Sequence, residues 1–149
     1  MRALLFALLL VVAAMPSPSA HAQAFENVAV PGVGPVDTEV GFATAYFQNA
    51  CEQTGHFPPG APISRPFTVF AIVSPQRPAT ATVNSFIRVF LPSGRVTDFG
   101  HGTVYVGPTN PSFCKFSEYT NNQTMEAGRW QWSFFFNGAE VGRLFLNVR

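Results

Sequence analysis

Between Gly128 and Arg149, large apolar side chains fall on alternate positions: Trp130, Trp132, Phe134 and Phe136, then Leu144, Leu146 and Val148 after Asn137-Gly138. Period two places side chains on one face of a β-strand, and Asn-Gly between two such runs is a strong hairpin signal. A strict two-residue loop would set Trp132 opposite Arg143 and turn Leu144, Leu146 and Val148 away from the tryptophans. One extra residue, in a three-residue loop through Ala139 or a bulge near Gly142, brings both apolar sets to one face. That register is expected, with Phe135 and Phe145 pointing outwards. Burial of Trp130, Trp132, Phe134 and Phe136 then contributes roughly 6 to 12 kcal/mol before entropy, at about 1.5 to 3 each.

Upstream, short apolar runs alternate with turn clusters, and no segment sustains a 3.6-residue period, which is an all-β pattern. The runs cover residues 25–30, 40–49, 67–73, 80–91, 95–99, 103–106 and 113–119. Residues 67–73 are apolar on both faces and predict a central strand. In 80–91, Val83, Ile87, Val89 and Leu91 alternate with Asn84, Phe86, Arg88 and Phe90. A short helix is the alternative for 40–49. Pro92-Ser93-Gly94 predicts a tight turn, and Gly100-His101-Gly102 a further interruption. Residues 51–66, rich in Pro and Gly, can only be a long loop, and loops of that length are commonly functional, so Phe57 is a candidate contact.

The amino-terminal end changes the frame. A basic Arg2 precedes an apolar run over 3–14 that is too short to span a bilayer comfortably, followed by Pro16 and Pro18 and by Ala20-His21-Ala22. Small residues at −3 and −1 predict a secretory signal peptide over 1–22, cut after Ala22, with a cut after Ala24 as the alternative. The remaining 23–149 suffices for one domain. Secretion or a periplasmic location follows, with no membrane span after removal of the signal. In that compartment Cys51 and Cys114, the only cysteines, default to one disulfide, which would contribute about 4 kcal/mol in the chain-entropy model.

Composition narrows the chemistry. Once Arg2 is removed with the leader, eight basic residues face eight acidic ones, so no charge excess attracts a nucleic acid backbone. Charged residues are only 11 % and Phe numbers 16, which predicts a full core and a weakly charged surface suited to a protein partner. His56 and His101 are the histidines outside the leader. Asp98 and His101 are the sharpest candidates for a metal or a general base, but zinc needs three or four protein ligands, and an exposed His in a turn is the plainer reading. No nucleophile-elbow, zincin or phosphate-loop pattern is present, so neither enzyme activity nor a cofactor is expected. Asn122-Gln123-Thr124 is a formal glycosylation acceptor.

The Gly-x-Trp strand, Asn-Gly turn and Gly-x-x-x-Leu-x-Val strand between Ala127 and Val148 resemble the closing hairpin of bacterial immunoglobulin-like domains. Leu91-Pro92-Ser93-Gly94 is similar to an inner hairpin of those domains. The resemblance implies a single two-sheet antiparallel β-sandwich. It departs from antibody domains in that both tryptophans follow the second cysteine. Such sandwiches host adhesion, inhibition, assembly and carbohydrate binding, so function must come from a site. A non-enzymatic binding or assembly module is expected, meeting a protein partner at the 51–66 loop or at an outer aromatic face with Phe135 and Phe145. A carbohydrate-binding domain is the alternative, with a small metal-binding protein or hydrolase after it.

Overall fold

Residues 20–43, 57 and 62–149 are described in a computed structural model of the chain. Strands β1 (Ala20–Ala24), β2 (Val28–Val30), β3 (Gly34–Ala43), β4 (Phe67–Pro75), β5 (Ala81–Phe90), β6 (Val96–Val106), β7 (Phe113–Tyr119), β8 (Gly128–Phe136) and β9 (Ala139–Val148) follow in order. They form two wholly antiparallel sheets, β1-β9-β8-β5-β6 and β2-β3-β4-β7. No helix occurs among the described residues, and none is long and apolar enough to cross a membrane.

The terminal hairpin adopts the expected register. Asn137 and Gly138 form a two-residue turn with φ of 45° and 81°, as a type I′ turn requires. The extra residue sits at Val141, where a bulge pairs Phe134 with Gly142 and Phe135 with Glu140. Leu144 then lies opposite Trp132 and Leu146 opposite Trp130, so both apolar sets line the space between the sheets. Asn137 does more than tolerate the turn. Its Oδ1 accepts from the Asn84 N–H at 2.8 Å and its Nδ2 donates to the Pro31 carbonyl at 2.8 Å, tying the turn to β5 and to the β2–β3 connection.

Between the sheets, Trp132 is fully buried amid rings from both: Tyr119 at 5.5 Å, Phe42 at 6.0 Å and Phe67 at 6.4 Å, all edge-on, with Trp130 stacked at 5.7 Å. An indole N–H in such a place needs an acceptor. The Tyr119 hydroxyl supplies it at 2.6 Å, joining β8 of one sheet to β7 of the other. Burial raises the Tyr119 pKa, although hydrogen bonds with Trp132 and Ser117 pull the other way. β4 is buried along both faces, as its unbroken apolar run predicts: Phe67, Val69, Ala71 and Val73 face the main core, whereas Phe70 and Ile72 join Ala43, Cys114 and Phe116 in a second cluster on the outer face.

β1 spans the expected processing site, with Ala20, His21 and Ala22 pairing with Leu146, Phe145 and Leu144. Three expectations are corrected. The first run shortens to Val28–Val30. β3 starts at Gly34 rather than residue 40, since a Pro is tolerated near the start of a strand; its helical alternative is excluded for residues 40–43, and residues 44–49 lie outside the described region. Finally, 95–99 and 103–106 join as one strand. Gly100, at φ +67°, is absorbed as a bulge between Ser85 and Ile87 of the partner strand instead of turning the chain.

That bulge serves the open end of the sandwich, where edge strands β6 and β7 face one another. Lys115 has the inward parity of Phe113 and Tyr119, and its chain runs along Gly100 and Gly102. A Cβ at Gly100 would lie 3.1 Å from Lys115 Cε, and one at Gly102 3.5 Å from Nζ. Burial lowers its pKa. An inward-pointing charge on an edge strand discourages pairing with another chain.

Tyr119→Phe keeps the ring packing but leaves the Trp132 N–H without its acceptor, and should destabilise the domain by about 1 to 3 kcal/mol in urea unfolding with an unchanged slope. Lys115→Met should leave the monomer as stable or more so, yet produce concentration-dependent association in sedimentation velocity.

Candidate functional site

Alternation sends a second set of side chains to the outer face of the five-stranded sheet, and the register arranges them in rows. Val96, Phe90, Gln131, Phe145 and His21 lie side by side across the strands. The next row holds Asp98, Arg88, Ser133, Arg143 and Gln23. In the third, Phe86, Phe135 and Glu140 follow one another, and the β6 bulge lays His101 on Phe86. A polar stripe therefore runs between two aromatic ones.

The stripe is fully paired. Arg88 makes a two-pronged ion pair with Asp98, Nε to Oδ1 and Nη2 to Oδ2, both at 2.7 Å. The Arg88 hydrogen bond holds the Asp98 pKa below the usual carboxylate range, against a small opposing effect of burial. Arg143 grips Glu140 in the same way at 2.6 and 2.8 Å. Burial alone would raise the Glu140 pKa, but hydrogen bonds from Arg143 and Ser133 and the nearby Arg143 and Arg88 charges outweigh it and lower the value. Gln131 donates to Ser133 at 3.1 Å, extending the network towards the first row.

The guanidinium planes also hold the rings. Arg88 sits 5.5 Å from the Phe86 centroid and 5.4 Å from that of Phe135, while these two rings stack at 4.8 Å and 5°. His101 covers the other side of Phe86 at 5.0 Å. Arg129 lies 4.5 Å over Phe145, His21 stacks on Phe145 at 6.2 Å, and Arg143 lies 5.2 Å over Phe25. Sugar stacking requires an open ring face. Here Phe86, Phe135 and Phe145 have faces covered by neighbours, whereas Tyr105 is 54 % exposed on the same sheet. Beside Phe86 and His101 the bulge leaves a depression of about 340 Å³ bordered by Asn84, Gly102 and Thr103.

Phe135 and Phe145 share this outer face, as expected, but belong to different rows separated by Ser133 and Arg143. Asp98 and His101 have different main partners: the carboxylate is held by Arg88, and His101 stacks on the face of Phe86. Among the described residues, no group of three potential metal ligands exists. Phe57 is half-buried against the main core, and its N–H donates to the Phe42 carbonyl at 2.9 Å, so it anchors the long loop instead of presenting a free ring. Cys51 and the rest of 51–61 apart from Phe57 lie outside the described residues. Cys114 is half-buried on the outer face of the other sheet, opposite Ile72. Asn122 is exposed.

Sequence reasoning missed Phe86, Arg88, Glu140 and Arg143. The outward parity of Phe86 and Arg88 in 80–91 is visible, but cross-strand neighbours, Glu140 and Arg143 among them, are set by register, which only the folded sheet supplies. It also missed a cleft of about 490 Å³ at one end of the sandwich, walled by Pro75, Pro78, Pro108 and Pro111 with Arg77 at its rim.

No family model matches this chain, and no curated protein does. Among solved structures, a Pseudomonas fluorescens alkylpurine DNA glycosylase, AlkC, bound to DNA containing an abasic site analog is similar over 56 % of this chain and 25 % of its own, at 12 % identity and a TM-score of 0.43. The matched part thus spans about a quarter of that enzyme's length.

Proposed function

We propose that this chain is an exported, non-enzymatic binding or assembly module that meets a protein partner through the outer face of its five-stranded sheet. The observation that carries the reading is the alternation of ring rows with a paired Arg–carboxylate stripe. Aromatic and Arg side chains are the groups that dominate protein–protein hot spots. Holding them in place before contact lowers the ordering cost of association. Because Arg88 and Arg143 are each neutralised by a carboxylate, the face offers little counterion release to a nucleic acid.

The wider frame is an immunoglobulin-like sandwich, supported by strand order. β6-β5-β8-β9, with its β5–β6 and β8–β9 hairpins, against β3-β4-β7 is compatible with that plan once β2, paired on β3, is set aside. The antiparallel pairing of β1 on β9 is an addition to that plan. A leader over 1–22 and a Cys51–Cys114 disulfide belong to the same reading. The glycan alternative loses its main support, because Trp130 and Trp132 are 7 % and 0 % exposed.

Phe86→Ala and Phe135→Ala should each weaken capture of the partner from extracellular extract by at least tenfold, as hot-spot truncations costing about 2 kcal/mol or more do, while Tyr105→Ala on the same sheet changes it little. Equal capture by all variants removes this face from consideration. A panel of oligosaccharides should leave tryptophan emission unaltered; quenching would restore the glycan alternative.

A further inference from the structure

We infer that processing empties the β9 edge, and that the exported protein accepts an extended strand from a partner polypeptide at the place where β1 lies. The inference rests on the export reading above. In the full chain, Ala20, His21, Ala22, Gln23 and Ala24 pair with Leu146, Phe145, Leu144, Arg143 and Gly142. A cut after Ala22 removes three of these five residues, and a cut after Ala24 removes all of them. The first cut leaves the β9 backbone at 144–146 without a strand and the second the whole of 142–146, and such an edge is a template for strand addition.

The strand now in place shows what chemistry fits. At the Gly142 end the approach is close: a Cβ on Gly142 would lie 2.9 Å from the Gln23 carbonyl, 3.4 Å from Ala24 Cα and 2.8 Å from a Val40 methyl carbon. Glycine at 142 is what lets the backbone of the paired strand come this close. Opposite the buried Leu144 and Leu146, by contrast, Ala22 is exposed and Ala20 only half-buried, so these two positions take larger apolar side chains. On the outer side, His21 stacks on Phe145, which is already backed by Arg129, so a flat aromatic or imidazole ring suits that position. The preferred occupant is thus an extended segment of pattern apolar, ring, apolar, polar. A second copy of this chain does not supply it after processing, because its own copy of the pattern is removed with the leader.

The test uses the protein as exported, with its mass and backbone amide exchange measured before and after adding synthetic peptides. The probes are Ser-Ala-His-Ala-Gln-Ala, the same peptide with Val at both inward positions (Ala20→Val and Ala22→Val), and one with His21→Pro. A first residue at Gln23 or Phe25, with β9 amides exchanging freely and becoming protected on peptide addition, is the expected result. The valine peptide should bind about tenfold more tightly, given the added apolar area, and the proline peptide not at all. A mass showing that the exported chain starts at or before Ala20 means that β1 is retained; the processing reading then fails, and the inference with it. A correctly processed chain whose β9 amides stay protected without peptide, or that binds no peptide, overturns the inference while leaving the export reading intact. Protection accompanied by dimerisation in sedimentation also overturns it, since a second copy would then hold the edge.

Discussion

The indole N–H of Trp132 is the constraint on which the sandwich turns. A fully buried donor between two sheets must find an acceptor or cost the domain a desolvation penalty, and the acceptor is the Tyr119 hydroxyl on the opposite sheet. That bond fixes β7 against β8, and with it the ring cluster of Phe42, Phe67 and Trp130 around them. Tyr119 in turn stacks on Phe67 at 5.0 Å, so the acceptor is held by the rings it helps to order. With the inner faces locked this way, the outer residues of β5, β8 and β9 inherit a fixed register.

The outer face is the complement of the core. Each inward residue of the terminal hairpin implies an outward neighbour, and the bulge at Val141 turns Arg143 outwards to reach Glu140, while the β5–β8 register aligns Phe135 with Phe86. Without that extra residue, Arg143 would face the core. The same feature that lets the leucines join the tryptophans therefore assembles the polar stripe. The two ends of the sandwich treat their edges differently: Lys115 occupies the space beside β6 and β7, whereas β9 relies on β1 for cover.

Much of this was legible from period-two patterning. The Trp130 to Phe136 face, the two-sided burial of β4, the inward set of β5 and the need for one extra residue in the closing hairpin all follow from burying apolar side chains on one side of a strand. The clearest failure has a physical cause. Gly100-His101-Gly102 is a short segment whose local chemistry fits either a turn or a bulge. The choice is made by the neighbour it meets, strand β5. The candidate site was legible only in part. Phe135 and Phe145 follow from parity, but Arg88 over Phe86 and Phe135 depends on which strands pair, and Asp98 was matched with His101 by closeness in sequence when its partner lies ten residues back, across a hairpin.

The central claim is that the outer face is ordered before any partner arrives. Relaxation of the arginine Nε–H signals in the isolated protein measures this directly. Arg88 and Arg143, each held by a carboxylate through Nε, should show side-chain order close to that of the backbone, with Arg77 and Arg95 far more mobile. Equal, high mobility for all four would contradict the account, because a face that forms only on contact would not carry the pre-ordered mosaic from which the function has been argued.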